Sequence, residues 1–128
     1  MGDSAVDYCL KQTRMETMFC TAPYLKKILG MREQGMATQI KNVVMFDTDA
    51  ETVALTTRAT AEFQIRVFTL DAVREAGRQN SAMVLKEDAV TRDDVYMLNY
   101  TSGTTGDSKG VKVTQWGILS SAIIFYES

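Results

Sequence analysis

Apolar residues recur at two spacings along this chain, and the changes between them mark its elements. Val6, Cys9 and Leu10 share one side of an amphipathic helix predicted over 5–12. Met18 to Thr21 predicts a short buried strand. Thr21 is placed to cap the next helix, with Pro23 near its first turn. Leu25, Ile28, Leu29 and Arg32 carry helical spacing to about Met36, with Gly30 and Gly35 weakening the run. Ile40 to Phe46 is an apolar β run, and Asp47 to Asp49 reads as a turn. Thr52 to Phe63 admits two readings: its Thr and Val content favours a strand, its Ala content a helix.

Ile65 to Thr69 predicts a further strand, followed by a helix from Leu70 to about Gly77 and a polar loop from Arg78 to Ser81. Val95 to Thr101 and Lys112 to Thr114 are the last two strands expected. Thr114 is the expected N-cap of a terminal helix carrying Trp116, Ile118, Leu119, Ile123 and Ile124. Strands alternating with helices predict an α/β fold, a mostly parallel sheet with flanking helices. That last helix is apolar on a wide face and runs to Ser128 with no capping pattern, which predicts a chain cut within a domain.

Composition narrows the picture. With 128 residues and 45% hydrophobic content, one modest core is expected. The net charge of −2 offers no electrostatic footprint for nucleic acid. The chain has no histidine, so imidazole acid–base chemistry and imidazole metal ligation are excluded within it. Cys9 and Cys20 lack a CxxC partner and read as small core residues of a reducing compartment. No apolar stretch approaches the roughly 18 residues of a membrane span. The opening Met1-Gly2-Asp3-Ser4 lacks a basic signal-peptide region, and Val6 breaks the myristoylation pattern.

The chemistry concentrates in Tyr100-Thr-Ser-Gly-Thr-Thr-Gly-Asp-Ser-Lys-Gly-Val111, between two apolar extended runs. Gly103 and Gly106 let the backbone approach a ligand closely. Successive N–H groups there can form an anion-binding nest, with hydroxyl donors and the Lys109 ammonium beside them. This is the composition of a polyphosphate-binding loop. It is not a Walker A loop, because Ser108 precedes Lys109 and Gly110 follows it. Nor is it a Rossmann loop, because no glycine lies two positions before Gly103. The competing reading of such a cluster is a solvated turn, which gives no reason for this residue order.

The pattern T-S-G-T-T-G-x-x-K-G resembles the phosphate-loop signature of the adenylate-forming (AMP-binding) superfamily, which includes acyl-CoA synthetases, luciferases and peptide-synthetase adenylation domains. The stretches 1–8, 12–17, 42–47, 66–70, 92–99 and 112–114 are similar to the long-chain acyl-CoA synthetase branch. Ser108 stands where many members carry proline, and Gln115 where many long-chain members carry histidine. Residues 1–128 are thereby identified as part of the AMP-binding N-terminal domain of a long-chain-fatty-acid–CoA ligase.

That resemblance implies two half-reactions. A fatty carboxylate attacks the α-phosphorus of Mg-ATP, and the CoA thiol then attacks the acyl-adenylate. It implies ATP, Mg2+ and CoA for the parent enzyme. It assigns Thr101, Ser102, Gly103, Thr104, Thr105 and Gly106 to the β- and γ-phosphates and Lys109 to the departing pyrophosphate. No catalytic residue and no metal ligand is assigned. The implied partners are small molecules (ATP, fatty acid, CoA), with no nucleic acid. Membrane association is left to the parent protein, in the cytoplasm or on the cytosolic face of an organelle membrane. Two alternatives stay open: another adenylate former acting on aryl, short-chain or amino acids, or a non-catalytic nucleotide-binding fragment.

The remaining polar residues read as structural. Asp93 and Asp94 are adjacent, point to opposite sides of an extended chain and terminate a loop. Lys26-Lys27 and Arg74/Arg78 read as solvated helix faces, the methionines as core filling, and Trp116 as packing.

Overall fold

A computed structural model of the chain describes residues 2–46, 49–80, 90–101 and 109–127. The chain order is α1 (Asp3–Thr13), β1 (Thr17–Cys20), α2 (Ala22–Glu33), β2 (Asn42–Met45), α3 (Ala50–Phe63), β3 (Arg66–Thr69), α4 (Leu70–Gln79), β4 (Val95–Thr101), β5 (Lys109–Thr114) and α5 (Gln115–Glu127). These elements fall into two units, 1–83 and 84–128.

In the first unit, β1, β2 and β3 pair in parallel in chain order, Thr17 with Asn42 and Asn42 with Arg66 at one end, Cys20 with Met45 and Met45 with Thr69 at the other. This is the parallel sheet that the alternation of strands and helices predicts. Alternation along each strand then sorts the side chains by face. Met18, Cys20, Val43, Met45 and Val67 join Leu25, Ile28, Leu29 and Met31 of α2 and Ala59 of α3 in the hydrophobic core. Leu10 of α1 closes the same cluster. Phe19, Val44 and Phe68 point to the opposite face, where they line a cleft together with Ala72, Val73 and Ala76 of α4.

Local chemistry explains the element ends. The 50–63 stretch is a helix: the Asp49 side chain at its N-cap accepts from Thr52 N at 2.8 Å, and buried Ala59 packs in the core. The α2 helix stops at Glu33, short of the expected Met36. Gly35 takes φ 75°, its N–H reaches Arg32 O at 3.0 Å, and Met36 N reaches Met31 O at 2.9 Å. That pair of bonds is the Schellman arrangement, so Gly35 terminates the helix. Thr21 occupies the N-cap of α2 as expected, but its side chain makes no capping bond. Thr69 caps α4 through Ala72 N at 3.1 Å, and α4 extends to Gln79, beyond the expected Gly77. Of the expected turn at 47–49, Asp47 and Thr48 lie outside the described residues.

Two polar groups hold this unit together where apolar periodicity gives no sign of them. Asp7 is buried in α1, and its carboxylate accepts from Lys11 Nζ at 2.6 Å and Ala37 N at 2.8 Å. Arg32 donates from Nη1 to Thr38 O at 2.8 Å, and from Nη2 to Ile40 O at 3.3 Å and Phe63 O at 3.2 Å. The surface pairs are simpler. Arg74 bonds Asp71 and Arg78 bonds Glu75, so the like-charged pair on α4 is offset locally. Arg58 pairs with Glu33 and Glu62, and both raise its pKa, Glu33 more strongly.

In the second unit, β4 and β5 form a two-stranded antiparallel ribbon, and α5 follows directly. The strand β5 is longer than expected, starting at Lys109 instead of Lys112. Thr114 Oγ1 accepts from Gly117 N at 3.2 Å and begins α5 as an N-cap would. The α5 helix leaves Leu119, Ile123, Ile124, Phe125 and Tyr126 exposed, with Phe125 at 84% and Tyr126 at 93%. Among the described residues, no helix is long and apolar enough to cross a membrane.

Candidate functional site

The candidate phosphate loop sits between the two strands of the antiparallel ribbon. Antiparallel pairing returns the chain to its starting edge, so the ribbon brings both ends of the loop together. The pairs run Leu98 with Lys112, Asn99 with Val111, Tyr100 with Gly110 and Thr101 with Lys109. Thr101 and Lys109 are therefore the last pair of the ladder, one at each end of the loop. Both are exposed. A register irregularity between Val95 and Met97 marks the other end of the ladder.

Of the predicted phosphate-binding residues, Thr101 and Lys109 are thus brought together. Ser102, Gly103, Thr104, Thr105 and Gly106 lie outside the described residues, as does Ser108. Among the described residues Lys109 makes no ion pair. A hydroxyl and an ammonium at the mouth of a glycine-containing loop can donate to phosphate oxygens.

The approach to the ribbon is held by a small hydrogen-bonded turn. Asp94 Oδ2 accepts from Thr91 N at 2.6 Å and from Thr91 Oγ1 at 3.0 Å. The Thr91 N–H, then its hydroxyl, hold the Asp94 carboxyl below its ordinary pKa. Asp94 therefore closes a loop, as the sequence predicts. The turn meets α5 through Gln115 N to Asp94 O at 3.0 Å and Trp116 N to Arg92 O at 3.1 Å. The Arg92 guanidinium lies 3.6 Å from the centroid of the Trp116 ring. Trp116 is thus engaged by a cation, an arrangement the packing reading did not anticipate.

Two further features emerge only with the fold. One is the contact of Tyr100 with Gly110, where a side chain's first carbon would meet the tyrosine ring. The signal was present, an aromatic and a glycine flanking the loop symmetrically, but only the pairing register makes them neighbours. The other is a cleft of about 460 Å³ in the first unit, between the sheet and α4, lined by Phe19, Val44, Phe68 and Val73 with Asn42 and Arg66 at one end. It depends on which strands are neighbours, which the sequence does not display.

Other chemistry is sparse. Among the described residues no group of three His, Cys, Asp or Glu side chains could hold a metal ion. Cys9 and Cys20 are not joined in a disulfide, and burial pushes the Cys9 thiol above its ordinary pKa, away from reactivity.

The model of the family described as "AMP-binding enzyme" matches residues 1–127. "Long chain acyl-CoA synthetase 8" of Arabidopsis thaliana is 27% identical over 122 residues, covering 95% of this chain and 16% of that protein. "Long-chain-fatty-acid--CoA ligase 1" of Homo sapiens is 28% identical over 131 residues, covering 100% of this chain and 18% of that protein. The crystal structure of the adenylation domain of a carboxylate reductase from Mycobacterium chelonae superposes with a TM-score of 0.68 at 21% identity, over 91% of this chain and 19% of that one. That likeness establishes the α/β fold. The chain spans about a sixth of the length of the relatives it matches.

Proposed function

The chain belongs to the AMP-binding enzyme family, and from that premise we propose that it supplies the ATP phosphate-binding loop of a long-chain-fatty-acid–CoA ligase. The observation that carries this reading is the pairing of Thr101 with Lys109, which sets a hydroxyl and an ammonium at the two ends of a hydroxyl- and glycine-rich loop. The names of the similar synthetases support the acyl class. We place residues 1–128 within the N-terminal AMP-binding domain. The apolar, exposed surface of α5 supports that placement, since a helix with so wide an apolar face is one that a larger body buries.

In this reading the hydroxyls of Thr101, Ser102, Thr104 and Thr105, with the N–H groups of Gly103 and Gly106, hold the β- and γ-phosphates of ATP. Lys109 offsets the charge that builds on pyrophosphate. A fatty carboxylate oxygen forms a bond to the α-phosphorus as the bond to pyrophosphate breaks. The CoA sulfur then bonds the acyl carbon and AMP leaves with the bonding electrons. The carboxylate is already a nucleophile, so the loop's contribution is positioning and charge stabilisation. Mg2+, when bound with ATP, neutralises phosphate charge. The 128 residues alone do not complete this chemistry. The setting is intracellular, in the cytoplasm or on the cytosolic face of a membrane.

Two measurements test the reading. Calorimetric titration of the chain with pyrophosphate should show binding that Lys109→Ala weakens about tenfold or more, the scale of one lost charge-assisted contact. Equal affinity of the variant would overturn the loop assignment. In the complete protein, ATP–pyrophosphate exchange should depend on an added long-chain fatty acid. Exchange supported by an aryl or amino acid instead would replace the acyl class and keep the family.

A further inference from the structure

We propose that Tyr100 is a positioning residue for the phosphate loop, its ring seated over Gly110 so that the ladder ends with Thr101 opposite Lys109. The inference rests on the phosphate-loop reading above and adds what holds the loop's two ends in place.

The geometry is direct. Tyr100 and Gly110 are partners in the β4–β5 ladder, one pair before Thr101 and Lys109. A Cβ placed on Gly110 would lie 3.2 Å from Tyr100 Cζ, 3.3 Å from Cε1 and 3.4 Å from the phenolic oxygen. The ring therefore occupies the space that any larger residue at 110 would need. Alanine there would push the ring aside by a few tenths of an ångström.

The consequence follows from the two-residue period of a strand. A slip of one residue turns every side chain to the other face of the ribbon. At this ladder's end a slip would turn Lys109 away from the face it shares with Thr101. A glycine within a strand specifies register poorly, because it has no side chain to pack. An aromatic side chain laid across a partner glycine supplies that missing packing. The Tyr100 ring does so at the pair adjoining the loop, while the irregularity between Val95 and Met97 marks the opposite end.

The test uses the 128-residue chain with pyrophosphate as probe. The ring over Gly110 should move its Hα resonances upfield in the NMR spectrum, and Tyr100→Phe should retain that shift while Tyr100→Leu abolishes it. Pyrophosphate affinity should be unchanged in Tyr100→Phe and fall about fivefold in Tyr100→Leu, with the melting temperature of each compared to separate positioning from folding. Gly110→Ala should weaken binding about fivefold with Tyr100 present and less than about twofold in the Tyr100→Leu background, since the two residues are coupled. Wild-type affinity in Tyr100→Leu, or equal effects of Gly110→Ala in both backgrounds, overturns the proposal. Loss of the ring shift's cause, seen as ordinary Gly110 Hα positions in the wild type, overturns it as well. A wild-type chain that shows the shift but binds no pyrophosphate overturns the phosphate-loop reading, and with it any positioning role.

Discussion

The Asp7 carboxylate accepts a hydrogen bond at 2.8 Å from the backbone N–H of Ala37, 30 residues further along the chain. Ala37 is fully buried and adopts φ 51°, a left-handed conformation rare for a residue with a side chain. The bond satisfies a donor with no regular secondary-structure partner. Through it, α1 is tied to the turn that follows α2.

Replacing Asp7 by alanine leaves the Ala37 N–H buried and unsatisfied. The expected loss is about 2 kcal/mol of stability in the first unit. Asp7→Asn keeps an acceptor and should lose less. Urea denaturation of both variants checks this, and equal losses would show that the acceptor is immaterial.

The same group sets a pH dependence. The Lys11 ammonium, then the Ala37 N–H, hold the Asp7 carboxyl below its ordinary value of 3.8, against the opposing effect of burial. A folded pKa below the unfolded one gives stability that is fully present above 3.8 and lost as pH falls through the folded value. Wild-type stability should therefore drop below about pH 4, and the Asp7→Asn curve should be flatter there. Unfolding free energies measured from about pH 7 to about pH 2 check the sign. Asp94 is lowered too, but it is common to both proteins, so their difference isolates Asp7.

Arg32 joins the last turn of α2 to the carbonyls of Thr38, Ile40 and Phe63. Only a planar fork reaches all three, so Arg32→Lys should behave nearly like Arg32→Ala, each losing about 1–3 kcal/mol. Thermal melts decide the matter. Full stability in the lysine variant would mean that charge alone suffices.

Leu29 is fully buried in the core cluster, whereas Tyr24, on the same helix, is 60% exposed. Leu29→Ala should cost about 2–5 kcal/mol through lost burial and the cavity left behind. Tyr24→Ala should change stability by about 0.5 kcal/mol or less. Chemical denaturation of the pair tests which face of α2 carries the core.

Trp116 is the chain's single tryptophan, so its fluorescence reports directly on the guanidinium of Arg92 above it. Arg92→Ala should change the emission intensity and remove about 0.5–1 kcal/mol from the second unit, as expected for an exposed cation–π pair. An unchanged spectrum would show that the pair does not persist in solution.

Much of this molecule is legible in its sequence because helix and strand periodicity are local. The alternation of elements predicts the parallel sheet, Thr114 predicts the start of α5, and the order of residues from Thr101 to Lys109 points to the family. What local pattern leaves open is settled by partners distant along the chain. Packing of Ala59 in the core and the Asp49 cap decide that 50–63 is a helix. Nothing local in the sequence marks Asp7 as buried; the turn at Ala37, 30 residues on, supplies its partner. Gly110 reads as part of a motif until antiparallel pairing sets it beneath Tyr100 and brings Thr101 to Lys109. A residue's type and spacing determine what it can form. Which atoms satisfy its hydrogen bonds and fill its neighbouring space depends on contacts across the sheet, and those exist only once the chain has folded.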